Sequence, residues 1–281
     1  MLAALLARGG DEVQVLAGPS TVEAINERGI SVESQRFGDF QVAVRAAAQL
    51  VGDVDACLVT VKNTQLAAAL ARMPPASVGD ALVVPFLNGI DHVDVLRAAY
   101  PLANVAAATI RVATARVAPG VIRQTSPFAT VEIAATDGNR ERVARLATRL
   151  EAAGLEVRVR DDEAAMLWDK LAFLAPLALM TTHERAAAGA IRTNRREETL
   201  AIIAEVVAVA IAEGATVSVD KVTGLLDSVP AAMESSMLHD HLAGLPLELD
   251  AIGGTVVRRA AAAGIDVPVT TRIVTELQAR G

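Results

Sequence analysis

The sequence predicts an α/β domain of Rossmann type followed by an all-α domain. Two observations carry this reading. Continuous apolar runs alternate with helix-period segments in the first half, and from Asp161 onward helical periodicity stands alone. Strands buried on both faces and separated by helices build a parallel sheet. At about 100–200 residues per domain, 281 residues divide naturally into two. The division is placed at 1–160 and 161–281, with neither internal repeats nor a low-complexity linker between the halves.

In order along the chain, Leu2, Leu5 and Leu6 recur at helical spacing and Gly9-Gly10 stop that helix. Val13, Val15 and Ala17 then alternate with polar residues, as a half-buried strand does. Residues 55–61 and 81–87 are continuous apolar runs, with a helical segment at 66–72 between them. After Asn88-Gly89 the pattern shortens to 105–114, 120–124 and 129–134, with turns at Pro119-Gly120 and Asp137-Gly138. An Arg-rich amphipathic helix at 139–153 leads into a short strand at 155–159. Helical segments follow at 162–182, 195–213, 220–227 and 245–264.

Composition narrows the partners. Aromatics make up only 2% of the chain, so the core is built from Ala, Val, Leu and Ile. A net charge of -7, with basic residues not gathered into a stripe, argues against nucleic acid. The single cysteine, Cys57, sits in an apolar run, where a buried thiol is expected, and its isolation fits a reducing cytoplasm. The longest uncharged apolar stretch, 171–180, is shorter than the roughly 18–20 residues a membrane span needs and contains Pro176, so no membrane partner is expected. The opening Met1 to Arg8 lacks a basic leader and reads as helix, not as a signal peptide.

Lysine usage singles out candidate chemistry. Of 26 basic residues only Lys62, Lys170 and Lys221 are lysines, so positive charge is otherwise supplied by Arg. An ammonium can surrender a proton where a guanidinium cannot. Lys170 has Met166, Leu167, Phe173 and Leu174 as its helical neighbours, an apolar face. The alternative is a lysine snorkelling from a helix edge beside Asp169. Asn88-Gly89 follows the apolar run 81–87, and the carboxyl end of a parallel strand is where such sheets bind ligands, although Asn-Gly is also a simple turn. Glu248 and Asp250 follow Pro246 and suit a first helical turn, while Ser235-Ser236 can cap a helix or face a ligand. His239-Asp240-His241 alternates on a helix, so its imidazoles diverge and no metal site is expected. His92 and His183 lack sequence partners and are assigned structural or surface roles. Neither a G-x-S-x-G elbow nor a Walker loop is present.

Taken together, Val59-Thr-Val-Lys62-Asn-Thr-Gln65, Phe86-Leu-Asn88-Gly89, Leu167-Trp-Asp-Lys170-Leu171 and Ser235-Ser-Met-Leu238 through Glu248-Leu-Asp250 resemble the ketopantoate reductase (2-dehydropantoate 2-reductase) family in order and spacing. The resemblance extends to Gly264-Ile-Asp-Val-Pro268, similar to that family's closing helix and turn. It implies a dinucleotide-binding first domain, a helical second domain serving substrate and dimerisation, and an active site between them.

Residue by residue, the resemblance implies that Lys170 is the proton donor and a substrate ligand. Lys62 and Asn88 are implied to face the nucleotide, with Asn88 also near substrate. Ser236 is implied to bind substrate, and Glu248 to stand at the cofactor–substrate junction. The implied chemistry is hydride transfer from NADPH, with NADH not excluded, to the ketone of a 2-oxo acid. A homodimer is left open.

Three departures from the family pattern shape the expectations. The chain opens inside the helix that follows the family's first strand and G-x-G-x-x-G loop, so the Rossmann-type domain is expected to be truncated at its first strand. Adjoining strands are then expected to carry unpaired backbone groups, and a chain beginning at Met1 to bind dinucleotide weakly or not at all. Ala17-Gly18-Pro19 stands where the family often has an Arg for the 2′-phosphate, so NADP preference finds no local support. Leu174 and Ala178 replace substrate-orienting asparagines, which suits a bulkier or more apolar 2-oxo acid. The alternative to an enzyme is a non-catalytic relative kept as a binding or dimerising module.

Overall fold

The two continuous apolar runs become parallel strands. In a computed structural model that describes residues 1–280, Ala56–Val59 pairs with Leu82–Pro85, Ala56 lying opposite Leu82 and Val59 opposite Pro85. All four residues of Leu82–Pro85 are buried, which is why this strand shows no alternation of apolar and polar positions. A second parallel pair joins Gln14–Leu16 to Arg45–Ala47. The two pairs are separate two-stranded sheets.

The chain divides into two units. The first comprises Met1–Val61, Gln65–Leu87 and Leu96–Asp161. Besides the parallel pairs it contains a mixed three-stranded sheet, in which Thr130–Ala134 pairs parallel with Glu156–Arg160 and antiparallel with Ala108–Arg111. A four-stranded sheet runs in the order Phe40–Val42, Ile30–Ser34, Val121–Gln124, Thr114–Ala118. The opening helix Leu2–Arg8 buries Leu2, Leu5 and Leu6 in one apolar cluster with Val84, Ile133, Val143 and Leu150, the last two from the helix Arg140–Ala152. Within this sheet-rich unit, Glu132 is only 4% exposed and is neutralised by Arg111 and Arg160. Burial alone would raise its pKa, but the two guanidinium hydrogen bonds outweigh it and hold the carboxyl below its ordinary range. Cys57 is half-buried, and burial pushes its thiol up to about 11.

The second unit comprises Asp162–Gly281 of the sequence together with the short segments Lys62–Thr64 and Asn88–Val95. Its centre is the helix Glu163–Glu184, with Trp168, Leu171, Leu179 and Met180 fully buried. This helix is long and apolar enough, by length and composition, to cross a membrane, but 72% of its apolar stretch is buried inside the protein, as in a core helix. Arg196–Ala212, Val219–Ser228, Ser236–Leu242 and Pro268–Arg280 complete the layer around it, with the shorter Ala188–Asn194. Glu205 accepts hydrogen bonds from the backbone N–H groups of Val269 and Thr270 at 2.9 and 2.7 Å, satisfying the open first turn of the last helix.

The segment expected as one helix over 245–264 is different in detail. Leu245 to Glu248 are non-helical, the backbone widens into a π-helical turn at Asp250–Gly254, and an α-helix resumes as Thr255–Ala263. Pro246 therefore lies outside the helix rather than in its first turn. A Cβ on Gly253 would stand 2.5 Å from Val274 Cγ2, so a side chain there would force its neighbours on the π-turn to shift. Such turns recur at functional sites.

Candidate functional site

Lys62 and Asn88 each follow a strand of the Ala56–Val59/Leu82–Pro85 pair by three residues, and both belong to the helical unit. The loop carrying Asn88 is fixed by Gly89, whose φ is +81° and whose hypothetical Cβ would lie 2.1 Å from the Ala251 carbonyl oxygen. Only glycine allows this loop to lie against the π-turn.

That close approach sets Asn88 beside Glu248, which is 7% exposed. Asn88 Nδ2 donates to Glu248 Oε2 at 3.0 Å, and the backbone N–H of Asn63 donates to Oε1 at 3.1 Å. The Asn63 side chain then closes the cluster: its Nδ2 donates to the Asn88 carbonyl at 2.6 Å and to Glu248 Oε1 at 3.3 Å. A carboxylate only accepts, so Asn88 must turn its NH2 toward it and keep its amide oxygen for another donor.

Lys62, next to Asn63, donates to both oxygens of Asp240 at 2.6 and 2.7 Å. Asp240 is carried by the helix Ser236–Leu242. The sequence weighed Asp240 only as the centre of a His-Asp-His string. Its neighbours are engaged elsewhere, His239 with Glu234 at 2.8 Å and His241 accepting from Arg185 Nε at 3.2 Å. Among the described residues no group of three His, Cys, Asp or Glu is placed to hold a metal ion.

Asp91 anchors the same loop by accepting from Thr255 Oγ1 at 2.9 Å, Arg258 at 2.8 Å and Arg259 at 2.9 Å. Burial opposes its ionisation, yet these bonds hold its carboxyl below the ordinary value. The next residue, His92, is 2% exposed. Burial, reinforced by the positive charge of Lys170, pushes this imidazole down to about 4, against the opposing influence of Asp91 and the Asn88 carbonyl. His92 is therefore a buried neutral group within the electrostatic reach of Lys170, not the unremarkable residue the sequence suggested.

Lys170 itself is half-buried on the helix Glu163–Glu184, with Met166 and Leu167 buried one turn before it. The neighbouring Asp169 is paired with Lys221, Nζ to Oδ1 at 2.7 Å. Ser236 is exposed in the first turn of its helix, whereas Ser235 is the cap, its Oγ accepting from the Leu238 N–H at 3.1 Å and contacting Thr181 Oγ1 at 2.7 Å. Of the sequence candidates, Asn88 and Glu248 are thus in direct contact, and Lys62 joins them through its neighbour Asn63. Asn63, Asp240, Asp91 and His92 were missed. The available signal was proximity: Asn63 adjoins Lys62, and His92 follows Asn88 by four residues.

The family model described as ketopantoate reductase PanE/ApbA matches residues 1–138, and that of its C-terminal domain matches 163–281. A 2-dehydropantoate 2-reductase of Mycobacterium tuberculosis is 31% identical over 238 residues, covering 82% of this chain and 78% of the relative. Among solved structures, a PanE/ApbA family ketopantoate reductase from Ralstonia eutropha JMP134 superposes with a TM-score of 0.87 at 30% identity, covering 99% of this chain and 93% of the other. A D-mandelate dehydrogenase solved with NADH and anilino(oxo)acetate shares the fold, with a TM-score of 0.90 at 20% identity and coverage of 99% and 93%. Family models thus meet the chain on both sides of residue 150, and the identity to a relative is sustained through most of its length: the chain belongs to the ketopantoate reductase PanE/ApbA family.

Proposed function

We propose that this chain reduces the ketone of a 2-oxo acid to the 2-hydroxy acid with a nicotinamide dinucleotide, as its relatives named 2-dehydropantoate 2-reductase do by name. The observation that carries the reading is the hydrogen-bonded junction in which Asn88, Asn63 and Glu248 are locked together beside the Lys62–Asp240 pair. The donor set fits the cofactor. Lys62 offers an ammonium whose side chain is 41% exposed, and Asn88 retains an amide oxygen able to accept from a carboxamide. Both residues follow parallel strands, whose carboxyl ends are the usual place for nucleotides in such sheets. When bound, the dinucleotide supplies the hydride.

The chain's own residues do the rest. Lys170 Nζ holds the proton given to the carbonyl oxygen as that oxygen gains negative charge, and its cationic form stabilises the charge on the way. The buried Met166 and Leu167, one turn before Lys170, give this stretch of the helix an apolar flank. Asn88 orients the ligand through its amide oxygen, Glu248 fixes Asn88, and the exposed Ser236 hydroxyl binds substrate. Leu174, half-buried one turn after Lys170, favours a substrate with an apolar side chain. The chain acts in the cytoplasm in this reading.

The test is NADPH and NADH oxidation, followed by the absorbance of the reduced nicotinamide, across a panel of 2-oxo acids that includes ketopantoate. Turnover of at least one supports the reading, with apolar substrates faster than ketopantoate. Absence of turnover with every member sinks it.

A further inference from the structure

The hydrogen bond between Asn88 and Glu248 joins positions 160 residues apart in the chain, and one guanidinium holds both of the segments it joins. Arg258, on the helix Thr255–Ala263, donates in two directions. Its Nη2 and Nε donate to Asp91 Oδ2 at 2.8 and 3.3 Å, three residues past Asn88. Its Nη1 donates to Asp250 Oδ1 at 2.6 Å, two residues past Glu248, and Nη2 reaches the Asp250 carbonyl at 3.2 Å.

Each arm leads to one partner of the junction. Asp91 opens the helix His92–Ala99, its carbonyl accepting from the Val95 N–H at 3.2 Å, so its placement sets the short stretch Asn88-Gly89-Ile90 before it. Asp250 begins the π-turn, and the Glu248 carbonyl accepts from the N–H of Ile252 within that turn at 3.0 Å. Gly254 leaves the space the bridge occupies: a Cβ there would lie 2.6 Å from Asp250 Oδ1 and 3.1 Å from Arg258 Nη1. The adjacent Arg259 also donates to Asp91, at 2.9 Å, but directs its other bonds to Asp94 and Glu213 instead of the π-turn. The side chain of Arg258 is 50% exposed, so its ion pairs add little to stability. What a planar fork adds is direction.

Resting on the reductase reading above, we infer that Arg258 is a positioning residue: by gripping Asp91 and Asp250 at once, it sets the Asn88 amide against the Glu248 carboxylate and so aims the amide oxygen at the ligand. It touches neither substrate nor nucleotide in this role. Misaiming costs rate more than affinity, since a displacement of about 1 Å at the reacting atoms can slow turnover about a hundredfold.

The test has an arm that needs no turnover. In NMR spectra of the full chain, the Asn88 side-chain NH2 signals are identified by their loss in Asn88→Ala. In Arg258→Gln they are expected to exchange with water about tenfold faster than in the wild type, while backbone amides of the helix Arg196–Ala212 keep their rates and show that the variant is folded. The second arm is kinetic. With the fastest 2-oxo acid of the panel, Arg258→Gln is expected to lose about ten- to a hundredfold in kcat, with KM changed less than about threefold. In an Asn88→Ala background, where no amide is left to aim, the same substitution is expected to cost less than about twofold. Arg258→Lys keeps the charge but reaches one carboxylate at a time, so it is expected to resemble Arg258→Gln. Unchanged Asn88 exchange in Arg258→Gln, an equal kcat loss in both backgrounds, or full activity in Arg258→Lys overturns the inference and leaves the reductase reading standing. If the wild type reduces no 2-oxo acid, that reading fails and the NMR arm alone decides: faster Asn88 exchange upholds the grip of Arg258 on the junction, and unchanged exchange overturns it.

Discussion

Asn88 gives its side-chain N–H to Glu248 at 3.0 Å, and this bond fixes which end of the amide is available to a ligand. The carboxylate is satisfied on both oxygens, Oε2 by Asn88 and Oε1 by Asn63. In the proposed reaction Glu248 therefore orients Asn88 and leaves the proton to another group. Lys170 is the candidate.

Asn63 is expected to matter because it supports that orientation from two sides. Removing its side chain deletes the bonds to the Asn88 carbonyl and to Glu248 but keeps the backbone N–H bond. Asn63→Ala is expected to lower kcat about ten- to a hundredfold, the scale of a hydrogen bond to a charged group. In a Glu248→Gln background the same substitution is expected to cost much less, since the two act as a unit. Steady-state kinetics of the four proteins in that cycle decide it, and strictly additive effects would contradict the orienting role.

Lys170→Ala is expected to reduce kcat by about 10²–10⁴-fold, the range for a lost general acid. Nucleotide affinity is expected to change little. Lys170→Arg keeps the charge but not a proton that can be released, so it is expected to remain nearly as slow as Lys170→Ala. Comparable losses of turnover and of NADPH affinity in a fluorescence titration would reassign this lysine to anchoring.

Gly89→Ala confronts both a positive φ and a carbonyl. With φ at +81° and the Ala251 oxygen 2.1 Å from the new methyl, the loop must move away from the π-turn. The expected cost is above about 1–3 kcal/mol, with a fall of several degrees in Tm and a loss of kcat larger than that of KM, because Asn88 shifts off Glu248. Differential scanning calorimetry with parallel kinetics checks both parts.

How much of this was legible in the sequence depended on length and on reach. The buried strands Ala56–Val59 and Leu82–Pro85 announced themselves as unbroken apolar runs, and the helix Glu163–Glu184 as a long period. Between Gly18 and Asp55 the sequence analysis assigned nothing, yet Pro19–Arg28, Ile30–Ser34, Phe40–Val42 and Arg45–Ala47 are ordered there. Strands of three residues show at most one alternation, too little for a periodicity to register. Glu248 was proposed through the family resemblance, but its partner Asn63 is 185 residues away, and Lys62 and Asp240 are separated by 178. Contacts of that range leave no trace in local pattern. The π-turn at Asp250–Gly254 was missed for a different reason, since a single widened turn does not change the helical spacing of apolar residues enough to be read.

His92 offers a pH signature separable from catalysis. Its folded pKa, about 4, lies below the unfolded value of 6.5, so the folded state binds the neutral imidazole and resists its protonation. The stability this provides is complete above about pH 6.5 and is lost as pH falls toward 4, amounting to roughly 2–4 kcal/mol across the interval. Glu132 acts in the lower window only: its depressed pKa gives stability that is present above the ordinary carboxylate value and disappears in more acid solution. Replacing His92 with Phe, which fills the buried site without a titrating nitrogen, is therefore expected to flatten the stability curve between pH 6.5 and 4.5 while leaving the steeper acid limb in place. Chemical denaturation at half-unit pH steps across this range measures it directly. Parallel curves for wild type and His92→Phe would contradict the buried, neutral state assigned to this imidazole.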